Sequence, residues 1–393
     1  MCGIVGIYNY KGKNIEKENF LIMRDSMIHR GPDSAGLYIE DNIALGFRRL
    51  SIIDLSENGN QPMFNEDNSI ALLFNGEIYN YKELRRELIL KGHKFKSNTD
   101  TEVILHLYEE YGKDLLQYIY GMFAIAIWDK NDETLFIARD RFGIKPIYYY
   151  NCSGTFIFAS EIKAILKYNR VDKEINNSSV FDYFQYSYVP IPNTIYKNIF
   201  HLEPATAMTI NRQGEINKWK YWNLDTQEDN DLKENDIIEK LDTIFERIIK
   251  QYLNADVPVG IMLSGGMDSS LLVGLADKYV GNEIYTFSAI FPDDDKYNEE
   301  SYQNLISDKF KTKHFSVKFN NNIDYTILQQ FDQPFAINSV FPLSVISKLA
   351  SEKVKVILTG DGADEIFGGY YYYYNRIKRL SNLNLLLSLF ILF

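Results

Sequence analysis

Apolar residues change their spacing part-way along this chain, and that change bounds the fold more tightly than any single motif. From residue 2 to about 225, short apolar runs alternate with turns: GIVGIYNY, IALGFRRLSIIDL, IALLFNGEIYN, MFAIAIWDK, TLFIARD and TFIFASE. Runs of this length, bounded by turn residues, predict strands of layered sheets. Between them, YKELRRELILKG and DTEVILHLYEEYG carry helical spacing, and the second opens on Asp100, a residue type suited to capping a helix N-terminus. After residue 236 the order becomes helix, strand, helix: IIEKLDTIFERIIKQYL, VPVGIML, SSLLVGLADKYV and IYTFSAIF, with VKVILTG as a later strand. Such alternation predicts a parallel sheet with crossover helices. The polar stretch DTQEDNDLKEND separates the two patterns. A two-domain α/β chain is expected, with a layered domain over 2–225, a linker over 226–236 and a parallel-sheet domain over 237–393.

At 393 residues, each domain is large enough for its own core. A net charge of −11 argues against nucleic acid or an anionic membrane as partner, because neither is attracted to an acidic surface. Only Cys2 and Cys152 occur, too few for a disulfide framework, which suits a reducing compartment. The start lacks a basic segment followed by an apolar run, so a cytoplasmic location is expected. No run reaches the roughly 20 apolar residues of a membrane-spanning helix.

Three stretches carry chemistry. Cys2 follows the initiator methionine, and removal of Met1 would place a thiol beside a free α-amine. Such an amine titrates at about 7.7–8.0 and can serve as the base for the sulfur. In VGIMLSGGMDSSLLVGL, the residues Ser264, Gly265, Gly266, Asp268, Ser269 and Ser270 lie between a buried strand and a helix. Glycines let the backbone approach an anion, hydroxyls add donors, and the helix start points N–H groups at it. The loop lacks the Gly-Lys-Ser/Thr ending of γ-phosphate-transferring loops. In LTGDGADEIFGGY, Asp361, Asp364 and Glu365 crowd a strand end, where a hard cation would relieve their repulsion. Asp364 and Asp268 are together a candidate Mg2+ site for bound ATP.

The combination of MCGIVGI, HRGPDSAG, RRLSIIDL, FNGEIYNY, SNTDTEVIL, GMFAIAIWD, ARDRFGIKPIYY, SGGMDSS and TGDGADEIFGGY resembles the glutamine-hydrolysing asparagine synthetases, over positions 2 to about 374. The resemblance implies an N-terminal-nucleophile αββα sandwich joined to an ATP-pyrophosphatase domain, which together convert aspartate, ATP and glutamine into asparagine, AMP, pyrophosphate and glutamate. It implies that Cys2 is the nucleophile and that Asn75 with the N–H of Gly76 holds the oxyanion. Arg49 matches the clamp on the glutamine α-carboxylate, Glu77 and Asp100 match receivers of its ammonium, and Leu50 and Ile52 line the pocket. Ser264, Gly265, Gly266, Asp268 and Ser269 would grip the pyrophosphate, with Met262, Ala289, Thr359 and Gly360 contacting the nucleotide. Asp268 and Asp364 match the Mg2+ ligands, and Asp361 a position tied to the acyl-adenylate. Met122 and its neighbours resemble the wall of an ammonia passage, although core packing accounts for them equally well.

The resemblance also implies a longer chain, so the second domain is expected to be C-terminally incomplete. The final LNLLLSLFILF reads as an apolar helix face without a packing partner. Two alternatives stay open: a related amidotransferase acting on another carboxylate, such as a sugar or peptide, and a truncated form with glutaminase or binding activity only. The oligomeric state is open, with a homodimer as candidate.

Overall fold

A computed structural model describes residues 1–372 except 13, 228–232, 281–283, 294–297 and 321–322, together with 375, 376 and 378. The apolar tail LNLLLSLFILF and the middle of the acidic linker lie outside the described residues. The chain divides into two compact units, 1–237 with 324–341, and 238–323 with 342–393.

In the first unit two six-stranded antiparallel sheets are stacked. One runs, edge to edge, Ile199–His201, Tyr148–Cys152, Thr155–Ala159, Gly3–Tyr8, Ile43–Arg49 and Ser34–Glu40. The other runs Ile216–Lys220, Thr206–Ile210, Thr134–Arg139, Gly121–Asp129, Ile70–Ile78 and Met63–Phe64. The two-residue alternation of strands explains how one chain fills three cores. Ile4, Tyr8, Leu45 and Phe47 meet Ala71, Leu73, Ala124 and Ala126 between the sheets. The opposite faces, through Val5, Ile7, Ile157 and Ala159, receive Phe20 and Met23 of helix Lys17–Asp25 and Ile162 and Ile165 of helix Ile162–Leu166. Leu72, Phe74 and Ile78 receive Leu84 and Leu88 of helix Tyr81–Leu90, with Val103, Ile104 and Leu107 of helix Asp100–Tyr111. This is the αββα layering the sequence predicts.

The segment 324–341 is fastened to this unit. Lys163 N donates to Asp332 Oδ2 at 3.1 Å, Lys163 Nζ to the Gln330 carbonyl at 2.8 Å, and Ala336 N to the Ser187 carbonyl at 2.8 Å.

The second unit is built on a four-stranded parallel sheet in the order Lys313–Lys318, Tyr285–Ile290, Val259–Met262, Val356–Leu358. Val273 and Ala276 of helix Met267–Val280 pack against Ile261 and Leu263 on one face, and Ile346 and Ala350 of helix Val340–Ser351 accompany Phe287 on the other. Among the described residues no helix is long and apolar enough to cross a membrane.

Candidate functional site

Strand alternation places the sandwich site. On strand Gly3–Tyr8 the even residues Ile4 and Tyr8 face the inter-sheet core, so Cys2, just before the strand, falls on that face and packs partly buried against it. On Ile43–Arg49 the odd residues Ile43, Leu45 and Phe47 do the same, which places Arg49 there. On Ile70–Ile78 Ala71 and Leu73 face inward, which adds Asn75 and Glu77. Four predicted residues from three strands and two sheets thus share one face.

Cys2 Sγ lies against the Leu50 backbone, 3.4 Å from its N–H and 3.7 Å from its carbonyl. Burial pushes the thiol up, opposed by the Leu50 N–H and then by the charges of the chain's α-amine and of Arg49. Arg30 Nε donates to the Cys2 carbonyl at 3.0 Å, and Arg30 Nη1 donates to Glu161 Oε1 at 3.1 Å. Ile52 follows in the same loop, partly buried.

Arg49 is buried, and its guanidinium donates to the Ser56 carbonyl at 2.6 Å, to Asn60 Oδ1 at 3.1 Å and to the Asp54 carbonyl. These partners fix the fork without neutralising it, so the cation keeps its pull on a ligand carboxylate.

Asn75 is 1% exposed, yet its Nδ2 has no hydrogen-bond partner. The backbone beside it is also open on one side. Strand Met63–Phe64 pairs only with Leu72 and Ala71, and beyond it Phe74 N donates to Gln61 Oε1 at 2.6 Å and Ile78 N to Asp100 Oδ2 at 2.9 Å. Backbone directions alternate along a strand, so the Gly76 N–H, midway between those two, faces the same open edge. A glycine is needed there, because a Cβ would stand 2.2 Å from the Met122 carbonyl on the neighbouring strand. Met122 itself pairs with Glu77 across the two strands.

Asp100 corrects one expectation. The helix cap is Thr99, whose extended backbone lets its Oγ1 accept the Glu102 N–H at 3.4 Å. Asp100 sits one residue inside the first turn, buried, with its carboxylate turned to Ile78. Burial pushes it up to about 7. Burial, and then the charge of Asp100, push Glu77 well above the usual carboxylate range. Two carboxylates in this state favour a cation, and an ammonium group answers that need.

Sequence reasoning missed Lys145. It is 6% exposed, its Nζ lies 3.4 Å from Met1 Sδ, and Glu77 and Cys2 both act on its charge. Asp140 shapes its turn, accepting the N–H groups of Phe142, Ile144 and Lys145 at 3.1, 2.9 and 2.9 Å. A lysine set between apolar residues in GIKPIYY was the available signal.

In the second unit the predicted residues gather at the carboxyl ends of adjacent parallel strands, where ligands of such sheets sit. Register pairs Met262 with Phe287 and Ile261 with Leu358, so Met262, Ala289, Thr359 and Gly360 all lie at that edge. The loop after Met262 is braced by its own hydroxyls: Ser264 Oγ lies 2.9 Å from Ser269 Oγ and accepts the Gly266 N–H at 3.1 Å. Gly265 takes φ +92°, a conformation glycine tolerates best. A Cβ on Gly360 would stand 3.1 Å from Asp268 Cβ, which brings the two loops together. Thr359 Oγ1 donates to Asp361 Oδ2 at 2.8 Å, and Asp364 lies in the first turn of the following short helix, Ala363–Phe367, beside Gly369. Carboxylates at adjoining loop ends are the hard oxygen donors that Mg2+ takes.

Residues 1–222 match the glutamine amidotransferase domain model, and residues 240–389 match the asparagine synthase model. The chain belongs to the glutamine-hydrolysing asparagine synthetase family. It is 38% identical to Bacillus subtilis (strain 168) asparagine synthetase [glutamine-hydrolyzing] 1, over 95% of this chain and 59% of that one. Escherichia coli (strain K12) asparagine synthetase B is 30% identical, over 95% and 65%. A Methanocaldococcus jannaschii protein with a provisional asparagine synthetase name is 39% identical, over 96% and 77%. The chain thus spans about six-tenths to three-quarters of the length of these family members.

Proposed function

We propose that this family member makes asparagine from aspartate, ATP and glutamine, with Cys2 releasing the ammonia. The observation that carries the reading is Asn75 Nδ2, a buried donor without an acceptor on the face that Cys2 shares. An unsatisfied buried donor costs about 1–3 kcal/mol, a cost that makes sense where charge appears only during reaction.

With Met1 removed, the Cys2 amine takes the thiol proton as sulfur attacks the side-chain amide carbon of glutamine. Asn75 Nδ2 and the Gly76 N–H hold the oxyanion. Collapse expels ammonia and leaves a thioester, which water cleaves to glutamate and free Cys2. Arg49 holds the glutamine carboxylate, while Glu77 and Asp100 hold its ammonium, and Leu50 and Ile52 wall the pocket. Lys145 offsets the charge of Glu77.

In the second unit the Ser264, Gly265, Gly266, Asp268 and Ser269 loop grips the pyrophosphate portion of ATP. Met262, Ala289, Thr359 and Gly360 border the nucleotide. Asp268 and Asp364 would hold Mg2+, which screens phosphate charge when bound. The aspartate side-chain carboxylate attacks the α-phosphorus, pyrophosphate leaves, and ammonia then displaces AMP from the acyl-adenylate. Asp361, fixed by Thr359, orients that exchange.

The test is product analysis with glutamine, Mg-ATP and aspartate, beside Cys2→Ala supplied with free ammonia. Asparagine and AMP in equal amounts, with ammonia rescuing Cys2→Ala, support the full reading. Glutamate without AMP leaves glutaminase activity alone, and retention of Met1 on active protein defeats the N-terminal mechanism.

A further inference from the structure

A second cluster of ligand-type side chains lies on the helical layer of the sandwich. His93 is in the loop between helices Tyr81–Leu90 and Asp100–Tyr111, and His106 and Glu109 are one turn apart on the second helix. His93 Nδ1 lies 3.1 Å from His106 Nδ1, His106 Nδ1 lies 2.7 Å from Glu109 Oε2, and His93 Nδ1 lies 3.5 Å from that same oxygen. Ligand atoms at about 2.0–2.1 Å from a tetrahedral zinc ion are separated by roughly 3.3–3.4 Å, so these edges bracket that spacing.

The far sides of His93 and Glu109 are each engaged by a further polar residue. Glu110 Oε1 lies 3.0 Å from His93 Nε2, and Asn65 Nδ2 donates to Glu109 Oε1 at 3.1 Å. His106 is 2% exposed and its Nε2 has no hydrogen-bond partner, but it faces Glu102 Oε1 at 3.9 Å. Glu102 is itself held by the N–H groups of Lys96 and Ser97 at 2.7 Å each and by Ser97 Oγ at 2.6 Å. Carboxylates behind metal-binding imidazoles fix their tautomer and orientation in this way.

Proton placement sharpens the case. A neutral ring carries one N–H. When each imidazole keeps it on Nε2, facing its carboxylate, two Nδ1 lone pairs and a carboxylate oxygen converge on one point. When His106 keeps it on Nδ1, its buried Nε2 lone pair faces Glu102. The first arrangement calls for a cation at the convergence.

We propose that His93 Nδ1, His106 Nδ1 and Glu109 Oε2 bind a zinc-class dication that fastens the loop after Leu90 to helix Asp100–Tyr111. Imidazole with carboxylate suits such ions, and the fourth position is left to water. Asp100 opens that helix, so the clip steadies the helix that carries an ammonium-pocket residue.

The test uses the full chain carrying Cys2→Ala and Cys152→Ser, which removes thiol ligands. After chelator dialysis, Zn2+ is titrated in competition with a chromophoric chelator, and Co2+ is added separately to read its visible bands. One tightly held ion per chain is expected, with tetrahedral-type Co2+ bands and a higher melting temperature when Zn2+ is present. His93→Gln and Glu109→Gln, made separately at partly exposed positions, should each weaken Zn2+ at least about tenfold, with circular dichroism unchanged. Absence of stoichiometric binding, or equal binding by His93→Gln, would overturn the proposal and leave the cluster joined by protons alone.

Discussion

The two candidate sites are built in opposite ways. In the sandwich, the groups sit on a buried inter-sheet face: Arg49 is 5% exposed and Asn75 1%. At the parallel-sheet edge the groups lie in loops and first helical turns: Ser269 is buried, but Ser264 and Asp361 are exposed, and Met267 beside Asp268 is 85% exposed. The first site holds its groups before any ligand arrives, as stabilisation of developing charge requires. The second offers backbone N–H groups and hydroxyls that already bond one another, and these can be exchanged for a phosphate.

The sharpest way to break this comparison is Cys2→Ala. Glutamate formation should fall by about 10^4-fold or more, while AMP formation with ammonia continues near the parent rate. Loss of both activities would mean that the two units do not act separately. Asn75→Ala comes next, with kcat for glutamate lowered by about 10^2–10^3 and KM for glutamine nearly unchanged, because the donor acts only on the oxyanion. A rise in KM with steady kcat would make Asn75 a ground-state binder and remove the contrast.

A pH series separates the sites next. Glu77 and Asp100 have folded pKa values raised above the unfolded value of about 4, Asp100 to about 7. The native pair therefore keeps protons that the unfolded chain has released. Its contribution to stability is present below about pH 4 and is lost as pH rises through 7. An ammonium ligand favours the ionised pair, so glutamine KM should fall as pH rises from 5.5 to 7.5, by up to about tenfold per unit. KM for ATP, measured with ammonia, should change far less. A flat glutamine profile would show that the pair is already ionised without ligand.

The comparison also explains what the sequence could reveal. Both folds were legible, because strand and crossover-helix patterns repeat along the chain and Ala71, Leu73 and Leu72, Phe74 sort by parity. Cys2, Arg49, Asn75 and Glu77 were expected as site residues from the motif resemblance, and the parity of three strands explains why they fall on one inter-sheet face. Lys145 was less legible because its partners, Glu77 and Cys2, are distant in sequence and meet it only across the folded sheets. The attachment of 324–341 to the sandwich was hidden for the same reason: Lys163 and Asp332 are 169 residues apart. Asp100 was expected to cap its helix, but Thr99 takes that position.

Thr99 tests that last point with the smallest expected effect. Its Oγ1 caps the helix at Glu102 N and lies 2.9 Å from Ser97 Oγ, so Thr99→Ala should cost about 1 kcal/mol. Differential scanning calorimetry reads this as a drop of a few degrees in the melting temperature. Asp100 keeps its bond from Ile78 N, which comes from the strand and not from the cap, so glutamine KM should stay within about twofold. A larger change in KM would mean that the cap sets the position of the carboxylate, and the sandwich site would then depend on its loops as the parallel-sheet site does.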